Sequence, residues 1–191
     1  MKRASPLALL LLGGCAVAPT TVPSPAAPRP RAHRPPPLIA PVPTRSLLES
    51  IDADPDLATF ATLVHAGRLE GLLTAAGPIT VFAPSNAAWA RLAPGTAEAL
   101  ALPGNRPSLR KLLGFLIVPG AVPGRDLRER AANGPTRLAT SEGEALSLSL
   151  AGDALQLGDG RGNRSYPVRE AMTTNGVLHV VNGVLVPAAL G

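Results

Sequence analysis

Hydrophobic residues recur at helical spacing in the part of the chain that follows residue 45. Asp54 is an N-cap candidate, Pro55 suits the first helical position and Gly67 suits the C-cap, so the spacing predicts a helix between them. Its apolar face comprises Leu57, Phe60, Leu63 and Val64. Further helical patterns cover residues 69–73, 96–102, 108–113 and 125–132. We expect Ser108 to cap the third of these and Gly114 to break it.

Alternation of apolar and polar residues replaces the helical spacing in the last third of the chain. Leu146, Leu148 and Leu150 alternate with serines, which predicts a strand with one buried and one solvated face. Strand patterns cover residues 115–118, 137–140, 145–150, 154–157, 166–169 and 177–181. Helices early in the chain and antiparallel hairpins late in it predict an α+β fold.

Two short segments stand out within this pattern. In ITVFAPSNAAW (residues 79–89), alternating residues predict a strand that Pro84 ends, and Ser85 and Asn86 offer N-cap oxygens for a following helix. In NGVLHVVNGVLVP (residues 175–187), Asn-Gly pairs bracket a β-branched run that contains His179. We expect both pairs to be turns, because glycine adopts positive φ freely and asparagine tolerates it.

The two segments resemble the signature boxes of the fasciclin (FAS1) domain, and the resemblance covers residues 46–187. It implies a wedge of mostly antiparallel strands flanked by short helices, an extracellular adhesion and ligand-binding role, no enzymatic activity and no cofactor. The residues that match the boxes, which we interpret as architectural, are Thr80, Phe82, Ala83, Pro84, Asn86, Asn175, Gly176 and His179. A third family motif, usually Tyr-His, reads Phe115-Leu116 here, so receptor adhesion attributed to that region is not carried over.

The N-terminus predicts export and lipidation. Residues 1–14 have the charged and apolar regions of a signal peptide and end in Leu-Gly-Gly before Cys15, which resembles a bacterial lipobox. Cys15 is the only cysteine, so it is either the lipidated residue or an incidental thiol, and no internal disulfide can form. Ala16, rather than an aspartate, follows it, which implies sorting to the outer membrane in a Gram-negative cell.

Residues 15–45 are predicted to be a linker that joins the anchor to a single domain at residues 46–191. Ten of the 22 prolines lie there, and an extended polyproline conformation would reach on the order of 90 Å. The linker arginines either contact anionic lipid head groups or envelope polymers, or are solvated spacer charges. The domain carries 12 basic and 13 acidic residues, a net charge of −1, which excludes a nucleic-acid module.

Three candidate chemical sites are interpreted as structural. His179 offers a general base or a metal ligand, but without a nucleophile, an orienting acid or further ligands we favour a buried, hydrogen-bonded histidine. The Gly-rich segment at residues 158–163 lacks a following helix, so we interpret it as a hairpin loop rather than a phosphate or calcium site. Ser85 lacks the context of a nucleophile and is explained as a helix cap.

Three hypotheses follow for function. The first is an envelope-anchored binding module whose partner is an envelope protein or a polysaccharide. The second is a carrier that holds an apolar small molecule or lipid in a groove between sheet and helices. The third is a hydrolase centred on His179, for which we expect that replacing the histidine reduces stability instead of abolishing a turnover.

Overall fold

The computed structural model describes residues 43–75 and 77–190. The predicted signal peptide, Cys15 and most of the predicted linker lie outside these residues. Within them, no helix has the length and apolar character needed to cross a bilayer.

Seven short helices and eight strands make up the described part of the chain. The helices are α1 (Leu47–Asp52), α2 (Ala58–Gly67), α3 (Glu70–Leu73), α4 (Asn86–Trp89), α5 (Thr96–Ala101), α6 (Arg106–Phe115) and α7 (Gly124–Ala132). The strands are β1 (Ile79–Pro84), β2 (Ile117–Pro119), β3 (Thr136–Ala139), β4 (Ala145–Ala151), β5 (Ala154–Gly158), β6 (Arg164–Ser165), β7 (Pro167–Thr173) and β8 (Gly176–Val181). Short 3₁₀ turns lie at Pro55–Leu57, Pro103–Asn105 and Ala188–Leu190. The predicted α+β class is confirmed.

The strands form two four-stranded sheets. The order is β2-β1-β8-β7 in the first sheet and β3-β4-β5-β6 in the second. Every pair is antiparallel except β1 and β8, which run parallel at the centre of the first sheet. The helices α1, α4 and α6 contact the first sheet, and α7 contacts β4 and β5 of the second.

Local capping explains where the early helices begin. Ser46 and Glu49 form a capping box, in which each side chain bonds the other residue's backbone N–H, so α1 begins at Leu47. The sequence patterns described above do not include this helix. The Asp54 side chain accepts a hydrogen bond from Asp56 N as predicted, although the first turn is 3₁₀ and α2 follows it.

Three predicted helix ends were wrong. Gly67 is the last residue of α2 and not its cap, because Arg68 takes the left-handed conformation at φ 54°. The helix α6 begins at Arg106 with Pro107 in its first turn, so Ser108 caps nothing, and it continues through Gly114.

The helical conformation of Gly114 moves the following strand. A helix-interior glycine costs about 1 kcal/mol relative to alanine, but continuing α6 buries Leu113 and Phe115 completely. Phe115 is therefore the last helical residue, and β2 covers Ile117–Pro119 rather than residues 115–118.

Candidate functional site at the paired signature segments

The two signature segments lie side by side at the centre of the first sheet. Strand β1 pairs with β8 in parallel, from Ile79 opposite Gly176 to Pro84 opposite Val181. All of β8 and all of β1 after Ile79 are buried. Segments almost a hundred residues apart in sequence thus form one structural unit.

A loop at residues 120–123, called the crossing loop below, passes over one face of this unit and is bonded to it. The Thr80 hydroxyl donates to the Gly120 carbonyl at 2.7 Å and accepts from Val122 N at 2.8 Å. One strand over, His179 Nε2 donates to the Val122 carbonyl at 2.9 Å. Thr80 and His179, one residue from each signature segment, therefore hold the loop by hydrogen bonds from two neighbouring strands.

A fourth hydrogen bond, from β7, holds the residue that directly follows the crossing loop. Glu170 is the register partner of His179, and its Oε2 accepts from Gly124 N at 3.0 Å. Gly124 is the first residue of α7, so the carboxylate satisfies an N–H that the helix itself leaves unbonded. Three adjacent strands therefore hold the loop and the start of the following helix.

His179 is a buried histidine whose ring is stacked and hydrogen-bonded. It is 1% exposed, and its ring stacks on Phe82 with centroids 5.2 Å apart and planes 14° apart. Burial lowers its pKa below the ordinary value, although the bond to the Val122 carbonyl and the charge of Glu170 oppose this. Because its Nε2 proton is donated to a carbonyl, the geometry matches the structural interpretation of this histidine.

The two signature asparagines connect separate elements. Asn175 Oδ1 accepts from Leu47 N at 2.9 Å, and its Nδ2 donates to the Leu73 carbonyl at 2.7 Å, which joins α1 and α3 to β8.

Asn86 Oδ1 accepts from Thr59 N at 3.0 Å. Its Nδ2 donates to Pro55 O at 2.8 Å, so Asn86 ties α4 to the start of α2 and does not cap its own helix. The capping role belongs to Ser85, which accepts from Ala88 N as predicted.

The predicted reason for the glycines in the Asn-Gly pairs was wrong. Neither Gly176 nor Gly183 has positive φ. A Cβ on Gly176 would lie 1.9 Å from the carbonyl oxygen of Ile79, and one on Gly183 would lie 2.8 Å from that of Arg164. These positions need glycine because another backbone passes too close for a side chain.

The residues at the Tyr-His position of the third motif lie in the core. Phe115 and Leu116 are fully buried, and the Leu116 carbonyl accepts from Phe82 N at 2.9 Å. Both side chains therefore pack inside the domain.

The Gly-rich segment at residues 158–163 is a hairpin loop between β5 and β6, as predicted. Asp159 is buried and organises it: Oδ1 accepts from Arg161 N at 2.8 Å and from Asn163 N at 3.2 Å. Its Oδ2 accepts from Asn163 Nδ2 at 2.5 Å and from Val186 N at 3.2 Å. Both carboxylate oxygens are thus committed to the loop and the C-terminal segment.

A titratable cluster on the helical side was not predicted from the sequence. His65 on α2 places Nδ1 3.0 Å from Glu70 Oε1 and Nε2 3.0 Å from Asp52 Oδ1. Since carboxylates only accept, both bonds form fully when the ring is protonated, and the bonds to Glu70 and then Asp52 raise the pKa of His65. The two ring nitrogens point to different carboxylates, so the arrangement joins α1 and α3 to α2 and does not converge on one ion.

Comparison with known proteins gives consistent matches. The family model of the fasciclin domain matches residues 55–187. Protein sll1483 of Synechocystis sp. is 32% identical over 148 residues, which cover 75% of this chain and 76% of that protein. Periostin of Homo sapiens is 31% identical over 144 residues, which cover 75% of this chain but only 16% of periostin.

A solved structure shows the same fold. The FAS1 domain pair of the insect cell adhesion molecule fasciclin I matches with a TM-score of 0.57 at 20% identity, covering 68% of this chain and 45% of that one. At that identity the likeness supports the fold alone.

Proposed function

Because this chain belongs to the fasciclin domain family, we propose that it is a non-catalytic binding and adhesion module held at a bacterial cell envelope by a lipid on Cys15. Cell adhesion is the role named for the insect protein whose fold it shares. The partner in this proposal is a neighbouring envelope protein or a polysaccharide. The signal-peptide pattern before Cys15 and the Ala16 that follows support an anchor in the outer membrane.

The observation that best supports a non-catalytic role is how the polar side chains of the signature segments are used. Thr80, Asn86, Asn175 and His179 each bond backbone groups of other elements. A general base must be within reach of the proton it abstracts, with a nucleophile beside it. His179 instead faces the carbonyl of Val122 and the ring of Phe82. The polar side chains of these segments therefore form hydrogen bonds that hold the fold together.

The proposed arrangement separates anchor and binding domain. A linker of thirty residues with ten prolines would hold the domain on the order of 90 Å from the lipid at full extension. A domain of net charge −1 would not be drawn back to an anionic membrane surface. This suits a module that contacts partners beyond its own bilayer.

The test compares the full chain with Cys15→Ala in a Gram-negative host. Intact mass spectrometry of the membrane fraction should give a chain that starts at Cys15 and carries acyl groups, whereas Cys15→Ala should be recovered unlipidated from the soluble fraction. Attachment of the cells to surfaces coated with envelope polysaccharide or envelope protein should rise with the full chain and return to the vector level with Cys15→Ala. An unacylated chain would refute the anchor, and attachment no greater than the vector control would refute the adhesion role.

A further inference from the structure

An open cavity of about 440 Å³ lies between helix α7 and strands β5 and β7, and arginine side chains line it. Arg125 and Arg128 belong to α7, and Arg169 belongs to β7. The side chain of Arg125 is 85% exposed and that of Arg169 is 50% exposed, so a ligand can reach both guanidinium groups. We call this cavity the arginine cleft, and its volume is within the range of small-molecule sites in proteins.

The charge of the cleft differs from that of the domain around it. The domain carries a net charge of −1. The described residues that line the cleft include three arginines but only one carboxylate, that of Glu170. Glu170 Oε2 already accepts a hydrogen bond from Gly124 N. A concave surface of one predominant charge attracts ligands of the opposite charge, so the cleft favours an anion.

Arg128 is the cation that is most available to such an anion. Its Nη1 donates to the Asp153 carbonyl at 2.9 Å, and it forms no ion pair with any described residue. Arg169, in contrast, pairs with the Asp54 carboxylate. The bond to a backbone carbonyl orients the Arg128 guanidinium without neutralising it, and its other N–H groups are left for a ligand.

Arg125 lies one helical turn before Arg128, so the two side chains share a face of α7 with about 5–6 Å between their Cβ atoms. Arg125 Nε is 3.1 Å from Asp126 Oδ1, but both side chains are exposed, and such pairs contribute little to stability. Two neighbouring guanidinium groups suit a carboxylate, because charge-assisted N–H···O bonds are stronger than neutral ones.

The rest of the lining offers carbon surface and uncharged hydrogen-bonding groups. Leu155, Pro167 and Val168 contribute the carbon surface, and Val168 is 61% exposed. The Tyr166 hydroxyl and Glu170 Oε1 have no hydrogen-bond partner among the described residues. A ligand that matches the whole cleft must therefore combine a carboxylate, hydroxyl groups and a face of C–H groups.

A sugar acid has all three of these features in one ring. We propose that the arginine cleft binds a uronate residue of an acidic polysaccharide. Its carboxylate bonds Arg125 and Arg128, and its hydroxyl groups bond Glu170 and Tyr166. This inference rests on the proposed function and selects polysaccharide from the two partners named there.

The test is calorimetric titration of the full chain carrying Cys15→Ala with tetragalacturonate and with tetramannuronate. We expect saturable binding of at least one of the two oligomers. Its methyl ester keeps the hydroxyl groups but loses the charge, so the dissociation constant of the ester should be at least about tenfold higher. Added salt should weaken binding of the acid, because the guanidinium groups are exposed.

Two substitutions on α7 separate the cleft from the general charge of the surface. Arg128→Gln should raise the dissociation constant of the uronate oligomer at least about tenfold. Arg130→Gln removes the same charge from an exposed position of the same helix that does not line the cleft, so the constant should change less than about twofold. Thermal unfolding midpoints establish that both variants are folded. If Arg128→Gln does not fold, Arg125→Gln takes its place, because that side chain is 85% exposed.

The proposal is overturned if neither oligomer gives saturable heat, if the methyl ester binds as tightly as the acid, or if folded Arg128→Gln binds as well as Arg130→Gln. It is also overturned if phosphatidylglycerol vesicles bind more tightly than the oligomers and lose binding in Arg128→Gln, since the cleft would then be a lipid site. The unlipidated chain in solution reports on the cleft alone. Failure of uronate binding is thus distinct from failure of the proposed function, which is measured by acylation and by attachment of cells.

Discussion

Replacing Thr80 by valine tests whether the signature residues hold the crossing loop. The substitution keeps shape and volume but deletes the hydroxyl that donates to the Gly120 carbonyl and accepts from Val122 N. Val122 is 4% exposed, so its N–H would be left unpaired away from water at a cost of about 1–3 kcal/mol. The Gly120 carbonyl is only partly buried, and losing its bond adds about 1 kcal/mol. We therefore expect the free energy of unfolding to fall by about 2–4 kcal/mol.

The matched control is Thr62→Val on α2. The Thr62 hydroxyl donates only to the Ala58 carbonyl within its own helix and is solvent-exposed, so the free energy of unfolding should change by less than about 0.5 kcal/mol. Both variants are made in the Cys15→Ala chain and unfolded in urea. The expected result is a lower midpoint for Thr80→Val with an unchanged slope. Equal midpoints for the two variants would show that the crossing loop does not depend on the Thr80 hydroxyl, and the structural account of the signature segments would then be wrong.

Three further predictions concern Gly176 and the two histidines of the domain. Gly176→Ala should fail to reach a native fold, judged by loss of the cooperative urea transition, because its Cβ would overlap the Ile79 carbonyl oxygen. His65→Gln should lose a stabilisation that is fully present below the ordinary histidine pKa. That stabilisation disappears as the pH rises through the raised pKa of His65 in the folded protein. The free energies of unfolding of parent and variant, measured in urea, should therefore converge at alkaline pH. The pH dependence of the His179 contribution has the opposite sign, because the pKa of His179 is lowered in the folded protein. As the pH falls, the unfolded chain takes up a proton before the folded chain does. The free energy of unfolding should therefore fall with acidification more steeply in the parent than in His179→Phe.

Local signals in the sequence predicted local structure well. Asp54 and Ser85 cap the elements assigned to them because an N-cap bond is formed within three residues. The same rule would have found α1, since Ser46 and Glu49 form a capping box that the sequence displays. Gly114 was misjudged because its helical conformation depends on burying Phe115, which no local propensity describes.

The arrangement of the site could not be predicted from spacing. Alternation along β1 and β8 indicates which residues share a face, but it does not identify the neighbouring strand, and the parallel pair joins segments far apart in sequence. The two hydrogen bonds of Asn175, and the lack of room for a side chain at Gly176, arise only after β1 and β8 have paired. The cluster around His65 was missed for the same reason, since Asp52 and Glu70 come from two other helices.

The resemblance and the structure together explain why signature residues need not mark a functional surface. Thr80 and His179 come from segments at opposite ends of the domain, and each bonds the crossing loop, which lies between them in sequence. Their bonds therefore close two long loops at once, and loss of either would release contacts distant in sequence. Because the fold depends on such residues, stability limits which side chains these positions accept, whatever the domain binds. Binding specificity must then come from residues other than those that hold the crossing loop.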